Sequence, residues 1–214
     1  MPATEIEFRC AWASNGDANG LLYLLATNFG AAAWTNPHNS GAVVVTRSAG
    51  WSGYTYQLVD RSTSGQEFFS DNALGGWFAV DLQSAVVLTD YSLKSDSETG
   101  YKPRNWKLQG SNDVQANTTA GIEAATWVDL DVRTSDSTIP TGASTWGHFV
   151  LSGTPAAYRW YRVILTGVES SGSYYLAVVE FELYCGTYTQ LTARVRPSGS
   201  RCWLTDGEYY VPAW

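Results

Sequence analysis

Residues 76–82 read Gly-Trp-Phe-Ala-Val-Asp-Leu, and residues 103–113 read Pro-Arg-Asn-Trp-Lys-Leu-Gln-Gly-Ser-Asn-Asp. In both stretches side chains of opposite character alternate, which is the pattern of a half-buried β-strand. Phe78, Val80 and Leu82 share one face of the first stretch, and the residues between them face the other way. The second stretch ends in Gly-Ser-Asn-Asp, which is typical of a turn. We therefore predict an all-β fold, an antiparallel β-sandwich that presents loops.

The rest of the chain shows the same short, punctuated pattern. Clusters of Gly, Ser, Thr, Asn and Pro separate the apolar segments, and the longest helical pattern is about one turn near 21–25. Many short strands with few helices favour a jelly roll. We interpret 114–125 as an extended surface loop. Strands are predicted at 42–47, 77–82, 91–95, 106–109, 127–131, 148–151, 158–165 and 177–184.

Composition is that of one large β-rich domain with aromatic side chains left over for recognition. The 214 residues include 10 Trp and 13 Tyr, while the net charge is −7. Nucleic acid and anionic membranes bind clustered cations, and the Arg residues here are scattered singly, so we expect neither as a partner. No apolar run approaches the roughly 18 residues of a membrane span. The acidic start has no apolar h-region, so we predict either a protein used without secretion, in a cytoplasmic or virion-surface location, or a mature form from which a signal has been removed.

The cysteines leave two interpretations open. A disulfide between Cys10 and Cys185 would close a long loop, worth about 4–5 kcal/mol in the chain-entropy model, and would leave Cys202 over. In the other interpretation all three are reduced, mostly buried thiols of a protein that folds in a cytoplasm.

The pattern changes near the end of the chain. Residues 190–196 alternate as a strand, and the Pro-Ser-Gly-Ser that follows is typical of a turn. We predict one β-sandwich domain over 1–186 and an appended hairpin and tail over 187–214. The tail carries aromatic residues that are candidates for docking, and we interpret it as a candidate anchor in an assembly.

Several motifs occur in the order found in one known family. They resemble the discoidin family, also called the coagulation-factor type C domain, in the branch seen in HECT-type ubiquitin ligases and in bacterial and viral proteins. The resemblance covers about residues 10–186 and implies a galactose-binding-like jelly roll. The family usually has Gly where Gln83 and Val114 stand, which puts the specificity of the loops in doubt. The motifs are Asn-Gly-Leu-Leu-Tyr-Leu-Leu-Ala-Thr-Asn at 19–28, Trp-Thr-Asn-Pro at 34–37, Leu-Val-Asp-Arg at 58–61, the stretches 77–82 and 103–113, Tyr-Arg-Trp-Tyr-Arg-Val-Ile at 158–164 and Phe-Glu-Leu-Tyr at 181–184.

The resemblance implies a ligand face made by loops at one end of the sandwich. Sugar recognition combines an aromatic platform with planar hydrogen-bonding side chains. Each aromatic residue, taken alone, is also explained by packing. The candidate ligand-binding residues that map to these loops are Trp34, His38, Trp51, Arg61, Phe69 and Tyr174.

A structural calcium ion is the second feature that the resemblance implies. Calcium prefers six to eight hard oxygen ligands. Asp60, Ser64 and Glu180 are the candidate metal ligands, with backbone carbonyls of 58–65 completing the set. In the alternative interpretation Asp60 caps a turn and Glu180 pairs with an Arg.

No catalytic motif is present in the sequence. It contains no Gly-x-Ser-x-Gly elbow, no His-Glu-x-x-His helix and no phosphate loop, and we predict that the chain is not an enzyme. Asp81 and Arg162, which suggest a charged pair, lie inside strand motifs, where a charge is usually structural and satisfied by a partner.

The main functional hypothesis is a binding or adhesion module that recognises a glycan or a protein through its end loops. Weak single-site binding would be strengthened by several copies, so we expect a homo-oligomer or a larger assembly. A second hypothesis is a viral virion protein, such as a capsid-decorating or tail-associated protein, held in place by the tail at 187–214.

Overall fold

The computed structural model describes residues 4–50, 52–61, 70–153 and 155–192. Each α-helix in these ranges has six residues, too few to cross a membrane. In chain order the elements are β1 (Thr4–Cys10), α1 (Leu21–Ala26), β2 (Val44–Arg47), a 3₁₀ helix (Thr55–Val59), β3 (Trp77–Val86), β4 (Asp90–Ser95), β5 (Trp106–Ser111), α2 (Thr119–Ala124), β6 (Val128–Arg133), β7 (Trp146–Val150), β8 (Tyr158–Leu165), β9 (Val178–Tyr184) and β10 (Gly186–Thr192).

Two antiparallel sheets form the sandwich. The larger sheet has five strands in the order β2-β3-β8-β5-β6, and the smaller has three in the order β7-β4-β9. Strands β1 and β10 form a separate antiparallel ribbon that pairs Thr4 with Thr192 and Cys10 with Gly186. The predicted all-β sandwich is confirmed, and each of the eight segments predicted as strands overlaps an observed strand.

The core lies between the two sheets and is rich in aromatic rings. Phe78 of the larger sheet meets Phe181 of the smaller sheet edge to face, with ring centroids 5.2 Å apart. Trp106 is fully buried, and its indole N–H donates to the Tyr91 hydroxyl at 2.9 Å. That hydroxyl donates to Asp131 at 2.7 Å. The buried polar atoms of Trp106 and Tyr91 are therefore both hydrogen-bonded, as most buried polar groups are.

The outer face of the larger sheet is covered, which corrects two predictions. Residues 114–125 were expected to form an extended surface loop, but they contain α2, whose Ile122 is buried against Trp77 and Trp160. Strand β3 is consequently buried on both faces from Trp77 to Leu82 instead of on one. A single apolar side chain in a six-residue helix shows no helical periodicity, so sequence inspection missed this cover.

Asp81 and Arg162 are both buried, but they do not pair with each other. Arg159 bonds the Asp81 carboxylate through two nitrogens, each at 2.6 Å. Arg162 donates to Gln109 Oε1 at 2.9 and 2.7 Å and lies over the Trp127 ring at 4.2 Å. The structural role predicted for both charges is confirmed, with different partners than the sequence suggested.

The two ends of the sandwich domain meet at the β1–β10 ribbon. The amide of Cys185 donates to the carbonyl of Cys10 at 2.9 Å, and both cysteines are buried free thiols. The neighbouring Cys185 thiol and burial raise the pKa of Cys10. Strand β1 was missed in the sequence, and β10 begins earlier than the strand predicted at 190–196. Cys202 and the predicted turn and tail lie outside the described residues.

Candidate functional site

A cavity of about 170 Å³ opens on the outer face of the three-stranded sheet. Strand β4 pairs with both neighbours there, so Lys94 lies between Trp146 and Glu180. The helix α1 and the 3₁₀ helix pack over β9 and form the opposite wall. Cross-strand neighbours from three strands and side chains from two loops therefore converge on one concave site. The cavity is lined by Gly16, Leu22, Tyr23, Trp34, Val59, Arg61, Lys94, Trp146, Glu180, Phe181 and Glu182.

Arg61 is held in a fixed position in this cavity. It has a left-handed backbone (φ +56) directly after the turn that ends the 3₁₀ helix. Its guanidinium donates to the carbonyls of Asp17 at 3.0 Å and Gly16 at 2.5 Å. The group also lies over the Tyr23 ring, 4.6 Å from the centroid. Because Arg has five N–H donors in a rigid plane, these contacts orient the remaining donors.

Glu182 lines the cavity and caps the N-terminal turn of α1. Its Oε1 accepts hydrogen bonds from the amides of Leu22 at 2.8 Å and Leu183 at 3.0 Å. Its Oε2 lies 3.8 Å from Arg61. Burial raises the pKa of Glu182 to about 7, although these partners favour the charged form. A β-carbon at Gly20 would stand 2.0 Å from the Glu182 carboxyl carbon, so any larger residue there would displace this carboxyl group.

Glu180 and Asp60 place two carboxyl groups close together beside the cavity. Burial, followed by the charge of Asp60 and a hydrogen bond with it, raises the pKa of Glu180 to about 9. Glu180 Oε1 is buried and has no hydrogen-bond partner among the described residues. Lys94, which is also buried, lies over the Trp146 ring at 5.9 Å. The site therefore contains an acidic oxygen that is short of a donor or a cation.

Aromatic side chains form the walls and the rim of the cavity. Tyr23 and Trp146 line it below the guanidinium and ammonium groups, and Trp34 is the exposed member, at 37%. An exposed ring beside fixed polar groups is an arrangement that binds flat, amphipathic ligands. The site can bind and orient a small group.

The predicted ligand residues do not form one cluster. The structure brings Trp34 and Arg61 together at the cavity. Tyr174 lies on the loop between β8 and β9, 39% exposed, where its amide donates to Asn72 at 2.8 Å. Trp51, Ser64 and Phe69 lie outside the described residues.

His38 is used inside the fold. Its Nδ1 accepts a hydrogen bond from the amide of Val45 at 3.0 Å, and its Nε2 lies 3.3 Å from Thr55 Oγ1. Burial lowers the pKa of His38. Because one ring nitrogen accepts, the imidazole is neutral and its proton is on Nε2, next to the threonine. His38 therefore connects its own loop to β2 and to the 3₁₀ helix, and it does not line the cavity.

Four lining residues that carry polar side-chain atoms were missed as site candidates in the sequence: Tyr23, Lys94, Trp146 and Glu182. Three of them lie on strands that are far apart in the chain. A signal existed in the alternation of β9, where Glu180 and Glu182 stand on one face between apolar neighbours. Two carboxyls on one face of an otherwise apolar strand indicate partners across the sheet.

Solved structures with this arrangement of strands include sugar-binding proteins. The third family 32 carbohydrate-binding module of a glycoside hydrolase from Clostridium perfringens aligns with a TM-score of 0.52 and 12% identity, over 68% of this chain and 92% of the module. A module from the same organism, in complex with GalNAc-β-1,3-galactose, aligns at 0.51 with 8% identity, over 67% and 96%. The chain is a discoidin-like β-sandwich. The fucolectin of striped bass shares the discoidin-like fold, with a TM-score of 0.50 and 17% identity, over 68% of this chain and 46% of the lectin.

The sequence of this discoidin-like chain is similar to segments of much longer proteins. It is 34% identical over 178 residues to the E3 ubiquitin-protein ligase hecd-1 of Caenorhabditis elegans. It is 29% identical over 175 residues to the ligase Ufd4 of Drosophila melanogaster. These matches cover 80% and 78% of the chain but only 6% of each ligase. A BTB/POZ domain-containing protein of Arabidopsis thaliana is 27% identical over 182 residues, 79% of the chain and 21% of that protein. No family model matches the sequence.

Proposed function

We propose that the chain is a non-catalytic module that binds a glycan in the cavity bordered by Trp34 and Arg61. The observation that carries the proposal is the exposed Trp34 ring beside a guanidinium fixed by two backbone carbonyls. The shared fold with carbohydrate-binding modules and a lectin supports it.

The proposed mechanism combines stacking with hydrogen bonding. The apolar C–H face of a sugar ring packs on Trp34, and the guanidinium of Arg61 donates to ring hydroxyls. The guanidinium does not have to be ordered on binding, because Gly16, Asp17 and Tyr23 already hold Arg61 in position.

The size of the cavity limits what enters it. An apolar cavity of about 150 Å³ holds benzene, so a space of about 170 Å³ accepts one six-membered ring. A site that encloses one ring gives weak binding, and several copies of the module on one surface would raise the overall affinity.

A glycan array with the protein displayed in many copies tests the proposal. We expect Trp34→Ala to weaken binding about tenfold, because it removes the stacking surface. Trp12→Ala is the matched control, since Trp12 is also 37% exposed but does not line the cavity. Silence of the wild-type protein on a broad array, or equal binding by Trp34→Ala, would refute this function.

We also propose that Asp60 and Glu180 hold a structural calcium ion. The pair fits a cation because the two carboxyls contact each other and one buried oxygen lacks a hydrogen-bond partner. Among the described residues no cluster of three or more His, Cys, Asp or Glu side chains is suited to a metal. The remaining ligands would therefore be carbonyl or hydroxyl oxygens, which calcium accepts. The bound ion would neutralise the two acidic groups.

Calcium is expected to raise the melting temperature of the protein, and a chelator is expected to lower it. A ligand present at about 100 times its dissociation constant adds about 2.7 kcal/mol to the free energy of unfolding. Thermal unfolding with calcium, with magnesium and with EGTA measures the effect. Glu180→Gln serves as the control that should abolish the shift. Equal melting temperatures in all three conditions would remove calcium from the proposal.

A further inference from the structure

Tyr54 and Tyr56 form a stacked pair, exposed at Tyr54 and half-buried at Tyr56, in the segment that leads to the cavity-lining Val59. The rings of Tyr54 and Tyr56 lie 5.6 Å apart with 12° between their planes. Tyr54 is 66% exposed, the largest exposed fraction of any large apolar or aromatic side chain in the described ranges. A single exposed aromatic residue is ordinary on a protein surface. A parallel pair differs because one ring supports the other and the outer ring presents a flat, supported face.

The backbone under Tyr54 is fixed by Gln57. The amide of Gln57 donates to the Tyr54 carbonyl at 3.0 Å, and the amide of Tyr54 donates to the Gln57 side chain. Gln57 is itself buried. The exposed ring therefore stands on an ordered turn, and binding a ligand there does not require the backbone to be ordered first.

The tyrosine pair is joined to the loop that carries Trp34. Asn36 Nδ2 donates to the carbonyl of Tyr56 at 2.9 Å, and Thr55 contacts His38 of the same loop at 3.3 Å. Val59, at the end of the 3₁₀ helix, lines the cavity. A 3₁₀ helix rises about 2 Å per residue. Tyr56 thus lies about 6 Å along the helix from Val59, and Tyr54 is the residue that immediately precedes the helix.

We propose that the Tyr54–Tyr56 pair is a second sugar subsite, so that the ligand is an oligosaccharide chain and not a terminal sugar alone. This inference rests on the proposed function of the cavity. The cavity encloses one ring, and the outer face of Tyr54 stacks against a later ring of the same chain. A supported aromatic face of this kind raises affinity about three- to tenfold. The gain applies only to chains long enough to reach it.

Binding of a chain-length series tests the second subsite. The probes are immobilised mono- to tetrasaccharides that end in galactose, glucose or N-acetylglucosamine. We expect the wild-type protein to bind the longer members more tightly. Tyr54→Ala should lose that preference, about three- to tenfold, while monosaccharide binding stays unchanged. Tyr54→Phe keeps the ring and should retain the preference.

The outcomes separate this inference from the proposal on which it rests. If Trp34→Ala weakens binding but Tyr54→Ala keeps the full preference for longer chains, the second subsite is refuted and the cavity proposal stands. Equal wild-type binding of all lengths also refutes the subsite. If the wild-type protein is silent on the broad array as well as on these probes, or Trp34→Ala has no effect, the cavity proposal fails and the subsite fails with it.

Discussion

Lys102→Met is expected to lower the free energy of unfolding by about 3–5 kcal/mol, because it leaves a buried carboxylate without its cation. Lys102 is completely buried, and its Nζ lies 3.5 Å from Asp96 Oδ1. The ammonium also donates to the carbonyls of Asp96 at 3.2 Å and of Glu98. Methionine keeps most of the apolar stem, so the variant tests the charge and its hydrogen bonds instead of the packing.

Lys102 also joins two loops at one end of the sandwich, through its backbone. The amide of Lys102 donates to Ser170 Oγ at 2.9 Å, and the amide of Ser170 donates to the carbonyl of Lys102 at 3.0 Å. Burial lowers the pKa of Lys102, while Asp96 opposes that change. Loss of the ammonium is therefore expected to loosen the β4–β5 and β8–β9 loops together.

Urea-induced unfolding measures the effect, with Lys107→Met as the matched control. Lys107 also pairs with an aspartate, Asp129, at 2.7 Å, but the two side chains are 34% and 40% exposed. Exposed pairs contribute about 0–1 kcal/mol, so the control should unfold almost like the wild-type protein. A Lys102→Met variant that loses less than about 1 kcal/mol would show that the buried ion pair contributes no net stability.

Glu182→Ala is the second substitution with a large expected effect, a loss of about 3–5 kcal/mol. It removes the acceptor for the amides of Leu22 and Leu183. Unsatisfied buried donors cost about 1–3 kcal/mol each. Arg61 also loses the carboxylate that lies 3.8 Å away. The start of α1 and the wall of the cavity are therefore expected to lose order together.

Two further variants define the role of Glu182. Glu182→Gln keeps an acceptor oxygen and should retain part of the stability that alanine loses. Glu123→Ala is the control, because Glu123 is exposed on α2 and its bond from Trp77 is long, at 3.4 Å. We expect the control to lose less than about 1 kcal/mol in the same unfolding measurement. Equal losses in Glu182→Ala and Glu123→Ala would contradict the role of Glu182.

The core strands were accessible to sequence inspection because strand periodicity is a local property. Phe78, Val80 and Leu82 all lie in the main core, as their spacing predicted. Helix α1 was predicted as about one turn near 21–25 and extends over Leu21–Ala26. In each case residues within a few positions of one another carry the pattern.

The cavity could not be predicted from local sequence patterns in the same way. Trp34 and Arg61 were singled out, but Lys94, Trp146 and Glu182 were not. These three belong to β4, β7 and β9, and they come together only because β4 pairs with both neighbours in one register. A shift of one residue would turn each of them to the opposite face.

The sequence by itself determined an antiparallel sandwich of short strands, because the alternation that buries one face is written in adjacent residues. The tertiary structure alone decided the partners of the charged and polar side chains. In the folded chain Asp81 pairs with Arg159, and the His38 ring contacts Val45 and Thr55. Glu182 accepts a hydrogen bond from the first turn of α1. Such partners are chosen by register and by loop packing across long chain separations, because a buried polar group bonds whatever complementary group the fold brings within reach.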